Sequence, residues 1–119
     1  MNVAWAPLGE MSLLRIYALA GDRARGKSLS HSLVEAARAA GLKGATALPG
    51  LMGFGRHGFD TELMTLLYDP LRQPELIEIV DETERLEAFL PTVNDLNRAG
   101  RLVTLERLEV YSYHLGSGA

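Results

Sequence analysis

Along the 119 residues of this chain the spacing of apolar side chains switches from every second position to every third or fourth, and it does so twice. From Ser12 to Ala20 the text SLLRIYALA alternates, with Leu14, Ile16 and Ala18 on one face and Leu13, Arg15, Tyr17 and Leu19 on the other. That is the pattern of a strand, since successive side chains of extended backbone point to opposite faces. GDRARGK reads as a loop, Ser28 as an N-cap, and Leu29, Leu33, Val34, Ala36, Ala37 and Ala40 as the apolar stripe of a helix closed by Gly41. A short strand is expected over about Ala45 to Leu48, with Pro49 and Gly50 marking a bend. The second round predicts a strand from Glu75 to Val80 and a helix marked by Leu86, Phe89, Leu90, Val93 and Leu96, ending at Ala99-Gly100. Pro91 is expected to bend that helix, and a long last strand is expected from about Leu102 to Tyr113.

Strand, helix, strand, strand, helix, strand is the order of the α+β ferredoxin-like sandwich, with a four-stranded antiparallel sheet and two helices on one face. The sheet's other face then carries Leu13, Tyr17 and Leu19, too apolar to face water comfortably, so self-association through it is expected, most simply as a closed ring. Residues 1–11 show no period and are expected to be an extension ahead of a domain spanning 12–119. Residues from about 56 to 73 are expected to form a long loop, with a turn of helix around Thr61 to Leu67.

Composition excludes several classes. There is no cysteine, hence no disulfide framework, thiolate zinc site or cysteine nucleophile. No apolar run approaches the roughly 20 residues of a membrane helix, and the first ten residues do not read as a signal peptide; a cytoplasmic protein is the expectation. Residues 1–59 carry seven Lys/Arg against three Asp/Glu, and residues 60–119 five against twelve, for a net charge of −3. Scattered cations on a negative chain argue against nucleic-acid binding, which needs a basic patch with aromatic residues nearby.

Six fragments carry more specific information: Gly44-Ala45-Thr46, Gly53-Phe54-Gly55-Arg56, Thr61-Glu62-Leu63, Leu76-Ile77-Glu78-Ile79-Val80, the helix start at Gly26-Lys27-Ser28-Leu29, and Ala40-Gly41-Leu42-Lys43-Gly44. Taken in chain order, those from Gly44 to Val80 resemble the PII signal-transduction superfamily. The run from Gly26 to Gly55 resembles more closely its PII-like group known as domain of unknown function family 190, a likeness that covers about Leu13 to Val110. The resemblance implies a non-catalytic regulatory or sensor protein, a homotrimer. It further implies an adenine nucleotide (AMP, ADP or ATP) held where subunits meet, a mobile loop that signals, and a membrane transporter as one kind of client.

The residues themselves suit an anion. Gly53 and Gly55 can adopt backbone angles closed to other residues and bring N–H groups close to a ligand, where Arg56 adds a charge-assisted phosphate donor. Thr46 offers a hydroxyl, Phe54 lies within the motif, and Lys27 sits where the first helix begins. PII proteins clamp phosphates with a glycine- and lysine-rich loop before the last strand; here that connection is only Arg98-Ala99-Gly100-Arg101, so its two arginines would have to substitute, with Arg101 the one expected at the ligand. His57 stands in place of a metal- and oxo-acid-binding glutamine, and Met64 in place of a nucleotidylated tyrosine. These departures argue against oxo-acid sensing and nucleotidylation. Plain structural readings stand beside each functional one: turn glycines, a solvated Arg56, a strand-forming Thr46, a loop Lys27.

Two other functions compete. One is a trimeric interaction scaffold with no nucleotide site, which the short Arg98–Arg101 connection favours. The other is a small metal-dependent enzyme using His57 with Asp60 and Glu62. His31, His57 and His114 have no metal-ligand spacing, and no nucleophile or phosphate-loop signature is present, so a catalyst is not expected.

Overall fold

The computed structural model describes residues 8–54 and 72–111. They form β1 (Met11–Leu19), β2 (Arg23–Ala24), β3 (Lys27–Ser28), α1 (Leu29–Ala39), β4 (Thr46–Pro49), β5 (Pro74–Glu82), α2 (Thr83–Leu96) and β6 (Leu102–Leu108). The main sheet runs β4-β5-β1-β6, with every neighbouring pair antiparallel. Two strand–helix–strand units interleave in this way, which is the ferredoxin-like sandwich. Its core lies between the sheet and the two helices: Leu14, Ile16 and Ala18 of β1 and Ile77 and Ile79 of β5 meet Leu29, Leu33 and Ala37 of α1 and Leu86, Phe89, Val93 and Leu96 of α2.

Helix α1 begins and ends as its sequence dictates. The Ser28 hydroxyl accepts the His31 N–H at 3.1 Å. At the other end Gly41 takes φ +78°, and the N–H groups of Gly41 and Leu42 donate to the Arg38 and Ala37 carbonyls. This is a Schellman close, and it needs glycine at the left-handed position.

Helix α2 differs from the expectation at both ends. It starts at Thr83 directly from β5, three residues before its first core side chain, Leu86. Glu82 provides no side-chain cap; instead the Thr83 N–H donates to the Glu10 carbonyl at 2.9 Å, and the Thr83 and Ser12 hydroxyls bond at 2.6 Å. The polar run Asp81-Glu82-Thr83-Glu84 conceals this start because its partners come from β1 and the residue before it, some 70 residues away in sequence. The helix continues through Pro91, which is exposed, as is Glu87, whose carbonyl loses its donor. It stops at Leu96, before Ala99-Gly100, where Asn97 leaves helical angles and bonds Arg101 through its side chain.

The segment expected to be a loop after β1 contains the β2–β3 hairpin, turned by Arg25 and Gly26 with φ +54° and +76°. Positive φ at both central residues is the requirement of a type I′ turn. Strand β4 runs one residue later than expected, β5 extends to Glu82, and β6 ends at Leu108 rather than near Tyr113.

A sheet-end cleft as candidate functional site

Register decides what the open face of the sheet presents. Thr46, Glu78, Arg15 and Thr104 lie in one row across all four strands, and Leu48, Leu76, Tyr17 and Leu102 in the next. In the polar row Arg15 donates to Glu78 at 2.9 Å and diagonally to Glu106 at 2.8 Å. The hydrogen bond to Glu78, opposed in part by desolvation, holds the guanidinium above its ordinary pKa. The second row is apolar, and its Leu48, Tyr17 and Leu102 are exposed.

Beyond that row the sheet opens into a cleft of about 270 Å³ whose walls include Tyr17, Leu19, Met52, Phe54, Pro74 and Leu76. It forms because the chain leaving β4 stays against the start of β5. The Gly50 N–H donates to the Pro74 carbonyl at 2.7 Å, and a Cβ on Gly50 would lie 2.8 Å from the Pro74 Cβ. Only glycine fits that approach. The following residues then lie along the mouth, where Phe54 is 87% exposed. A mostly apolar hollow with main-chain groups along one wall can hold a flat organic ring while its polar substituents reach outward.

Of the residues expected to bind a ligand, Gly53 and Phe54 line this cleft. Gly53 is not among the glycines with positive φ, and a Cβ there would make ordinary contact, 3.5 Å from Pro74 Cγ; the steric demand falls on Gly50 instead, a position that sequence reasoning read only as a bend. Gly55 and Arg56 lie outside the described residues, as do His57, Asp60, Glu62 and Met64. Thr46 is at the far end of β4, opposite Glu78. Lys27, on the exposed side of β3, is held by both carboxylate oxygens of Glu35 at 3.0 Å. Arg101 makes a two-pronged pair with Asp22, Nε to Oδ2 at 2.8 Å and Nη2 to Oδ1 at 2.7 Å, with both side chains about nine-tenths buried. One protomer therefore brings together Gly53 and Phe54 but not Thr46, Lys27 or Arg101. Asp22 and Gly50 were the positions missed, and each owes its role to a partner remote in sequence.

Among the described residues no group of three or more His, Asp or Glu is placed to hold a metal ion, and no helix is long and apolar enough to cross a membrane.

Comparison with known proteins places this geometry. The family model described as Uncharacterized ACR, DUF190, matches residues 11–110. The chain belongs to the DUF190 family. It is 33% identical over 100 residues to a UPF0166 protein of Aquifex aeolicus, covering 82% of this chain and 90% of that one. A UPF0166 protein of Methanocaldococcus jannaschii is 26% identical over 102 residues, covering 83% and 90%. Among solved structures, a putative PII-like signalling protein of Thermus thermophilus superposes with a TM-score of 0.55 at 21% identity, over 87% of this chain and 89% of the other. CPII, a nitrogen regulatory PII-like protein of Thiomonas intermedia solved with ADP, AMP and bicarbonate, superposes with a TM-score of 0.57 at 20% identity, over 87% and 90%. This DUF190 chain thus has the PII-like form of the ferredoxin fold, as its motifs imply.

Proposed function

We propose that this DUF190 protein is a PII-like, non-catalytic regulator that binds an adenine nucleotide in the sheet-end cleft and signals through the segment from 56 to 73. The observation that carries the reading is the cleft itself: an apolar hollow of about 270 Å³ with Gly53 and Phe54 on its wall; Gly55 and Arg56 are the next two residues of the sequence. A purine ring suits the apolar wall, and the Gly55–Arg56 end supplies anion donors for phosphate. CPII, which shares the fold, holds ADP and AMP. Thr46 begins β4 and is not among the residues lining the cleft, whereas Gly53, beyond the end of that strand, is; in this reading the nucleotide lies where subunits meet and takes the two from neighbouring copies. Such a heterologous contact closes into a ring, here a homotrimer, whose subunits bury the row containing Tyr17 and Leu102. Ligand binding selects one arrangement of the 56–73 segment, and a client protein such as a membrane transporter reads it. The cytoplasm is the compartment in which nucleotides are available to it.

Calorimetric titration with AMP, ADP and ATP tests the reading. Saturable binding that Arg56→Ala weakens, with assembly unchanged in light scattering, supports it; no heat and no rise in melting temperature with any nucleotide overturns it. A scaffold without a nucleotide site is the second reading. It is favoured by the engagement of Lys27 by Glu35 and of Arg101 by Asp22, which leaves neither cation free for phosphate in this conformation.

A further inference from the structure

The geometry points to Asp22 as the positioning residue of the cleft, and to Arg101 as a residue that acts on the cleft through Asp22. Three donors converge on the Asp22 carboxylate: the Leu19 N–H at 2.8 Å, and Nε and Nη2 of Arg101 at 2.8 and 2.7 Å. Leu19 is a wall residue of the cleft. The main chain of Asp22 is tied at the same place, its N–H donating to the Leu19 carbonyl at 3.0 Å and its carbonyl accepting from Leu29, the first residue of α1, at 2.7 Å. The next residue along the chain from the wall, Ala20, donates to the Gln73 carbonyl at 2.8 Å. A carboxylate so placed sets where β1 stops, and hence where the cleft wall stands.

Arg101 is fixed from its own side. Asn97 accepts its N–H at 2.9 Å and donates to its carbonyl at 2.8 Å, so the main chain beneath the guanidinium is held at both groups by the residue that ends α2. The fork cannot leave Asp22 for a phosphate without stranding a carboxylate that is 10% exposed and that keeps, of these three donors, only an amide. Desolvation makes that exchange costly. The hydrogen-bonded chain therefore runs from the end of α2 through Asn97, Arg101 and Asp22 to the Leu19 amide. It joins the cleft to the α2–β6 connection across 79 residues of sequence. This inference borrows its ligand from the nucleotide reading above, but its core, the control of the Leu19 amide by Arg101, does not depend on it.

The test compares wild type with Asp22→Asn, Arg101→Gln and Arg101→Lys, each checked for fold by circular dichroism. Arg101→Lys keeps the charge but loses the fork, which guards against a glutamine variant that fails to fold. Hydrogen exchange at the Leu19 amide is read by NMR without any ligand, and adenosine and ADP affinities are read by calorimetry. The expected result is a roughly tenfold loss of Leu19 protection in all three variants. Adenosine and ADP should weaken by the same factor, about tenfold, and a double variant combining Asp22→Asn with Arg101→Gln should lose no more than either single one. An unchanged Leu19 amide overturns the inference. So does a loss confined to ADP in Arg101→Gln, because that marks direct contact with phosphate. Should wild type bind neither adenosine nor ADP, the nucleotide reading falls, while the Leu19 amide still decides the role of Asp22.

Discussion

Gly50 and Pro74 approach so closely that a Cβ on the glycine would stand 2.8 Å from the proline Cβ, while the Gly50 N–H donates to the Pro74 carbonyl at 2.7 Å. The contact joins the end of β4 to the start of β5 and forms the floor of the cleft. Gly50→Ala forces one strand end away from the other. Overpacking of this kind costs about 1–3 kcal/mol, and a lower urea midpoint with unchanged m-value is the expected measurement. Gly53→Ala, where the added methyl meets Pro74 Cγ at an ordinary 3.5 Å, should leave stability within about 0.5 kcal/mol of wild type.

Asp81 is fully buried, and its carboxylate accepts the Lys43 N–H at 2.9 Å and the Glu82 N–H at 2.7 Å, with Arg85 3.7 Å away. It ties the α1–β4 connection to the end of β5. Asp81→Ala leaves two amides without their acceptor and should cost roughly 2–4 kcal/mol, by the cost of removing a charged hydrogen-bond partner from a buried site. Equilibrium denaturation checks it, and the Lys43 amide should lose exchange protection in step.

Glu35 takes Lys27 and His31 on its two oxygens, and the hydrogen bond from Lys27, with a smaller one from His31, holds its carboxyl below the ordinary carboxylate range. A folded-state pKa below the unfolded one contributes stability that is present above the unfolded value, near 4.3, and is lost as pH falls through the folded value. Glu35→Gln should remove that part of the acid dependence. Carbon-detected NMR titration of the Glu35 carboxyl should show its midpoint shifted back toward the ordinary value in Lys27→Met.

The apolar row on the open face predicts an assembly phenotype. Leu102 is 62% exposed and Tyr17 41% exposed, on adjacent strands in direct register. Leu102→Glu places a charge in the middle of the surface that copies are proposed to bury. Light scattering should give the monomer mass for this variant and a trimer mass for wild type, with the same circular dichroism spectrum for both.

Much of the sandwich was legible because it is written in local periods. β1 alternates from Leu14 to Ala18, since one of its faces meets the helices and the other does not, although Leu13, expected on the open face, is buried; α1 carries its cap at Ser28 and its close at Gly41 within its own sequence. The start of α2 was not legible, because Thr83 is satisfied by Glu10 and Ser12 rather than by a neighbour. The β2–β3 hairpin was hidden for a different reason: its turn places Arg25 in a left-handed conformation more often given to asparagine or glycine.

At the candidate site the division is sharper. Of the Gly-Phe-Gly-Arg run, Gly53 and Phe54 line the cleft, and Gly55 and Arg56 lie outside the described residues. Arg101 was expected at a phosphate because it stands where PII proteins carry their phosphate-clamping loop; its bond to Asp22, 79 residues away, is not visible in the sequence.

By itself the sequence determined the order of the four main-sheet strands and two helices, the helix-facing apolar side of β1 and α1, and the membership of a family, because spacing and short motifs are properties of neighbouring residues. Which glycine must be glycine, which carboxylate claims Arg101 and which side chains share a cleft were decided only by the tertiary structure. Those outcomes depend on how the strand register and the packed connections bring distant residues within a few ångströms, where contact and desolvation choose among partners that look equivalent along the chain.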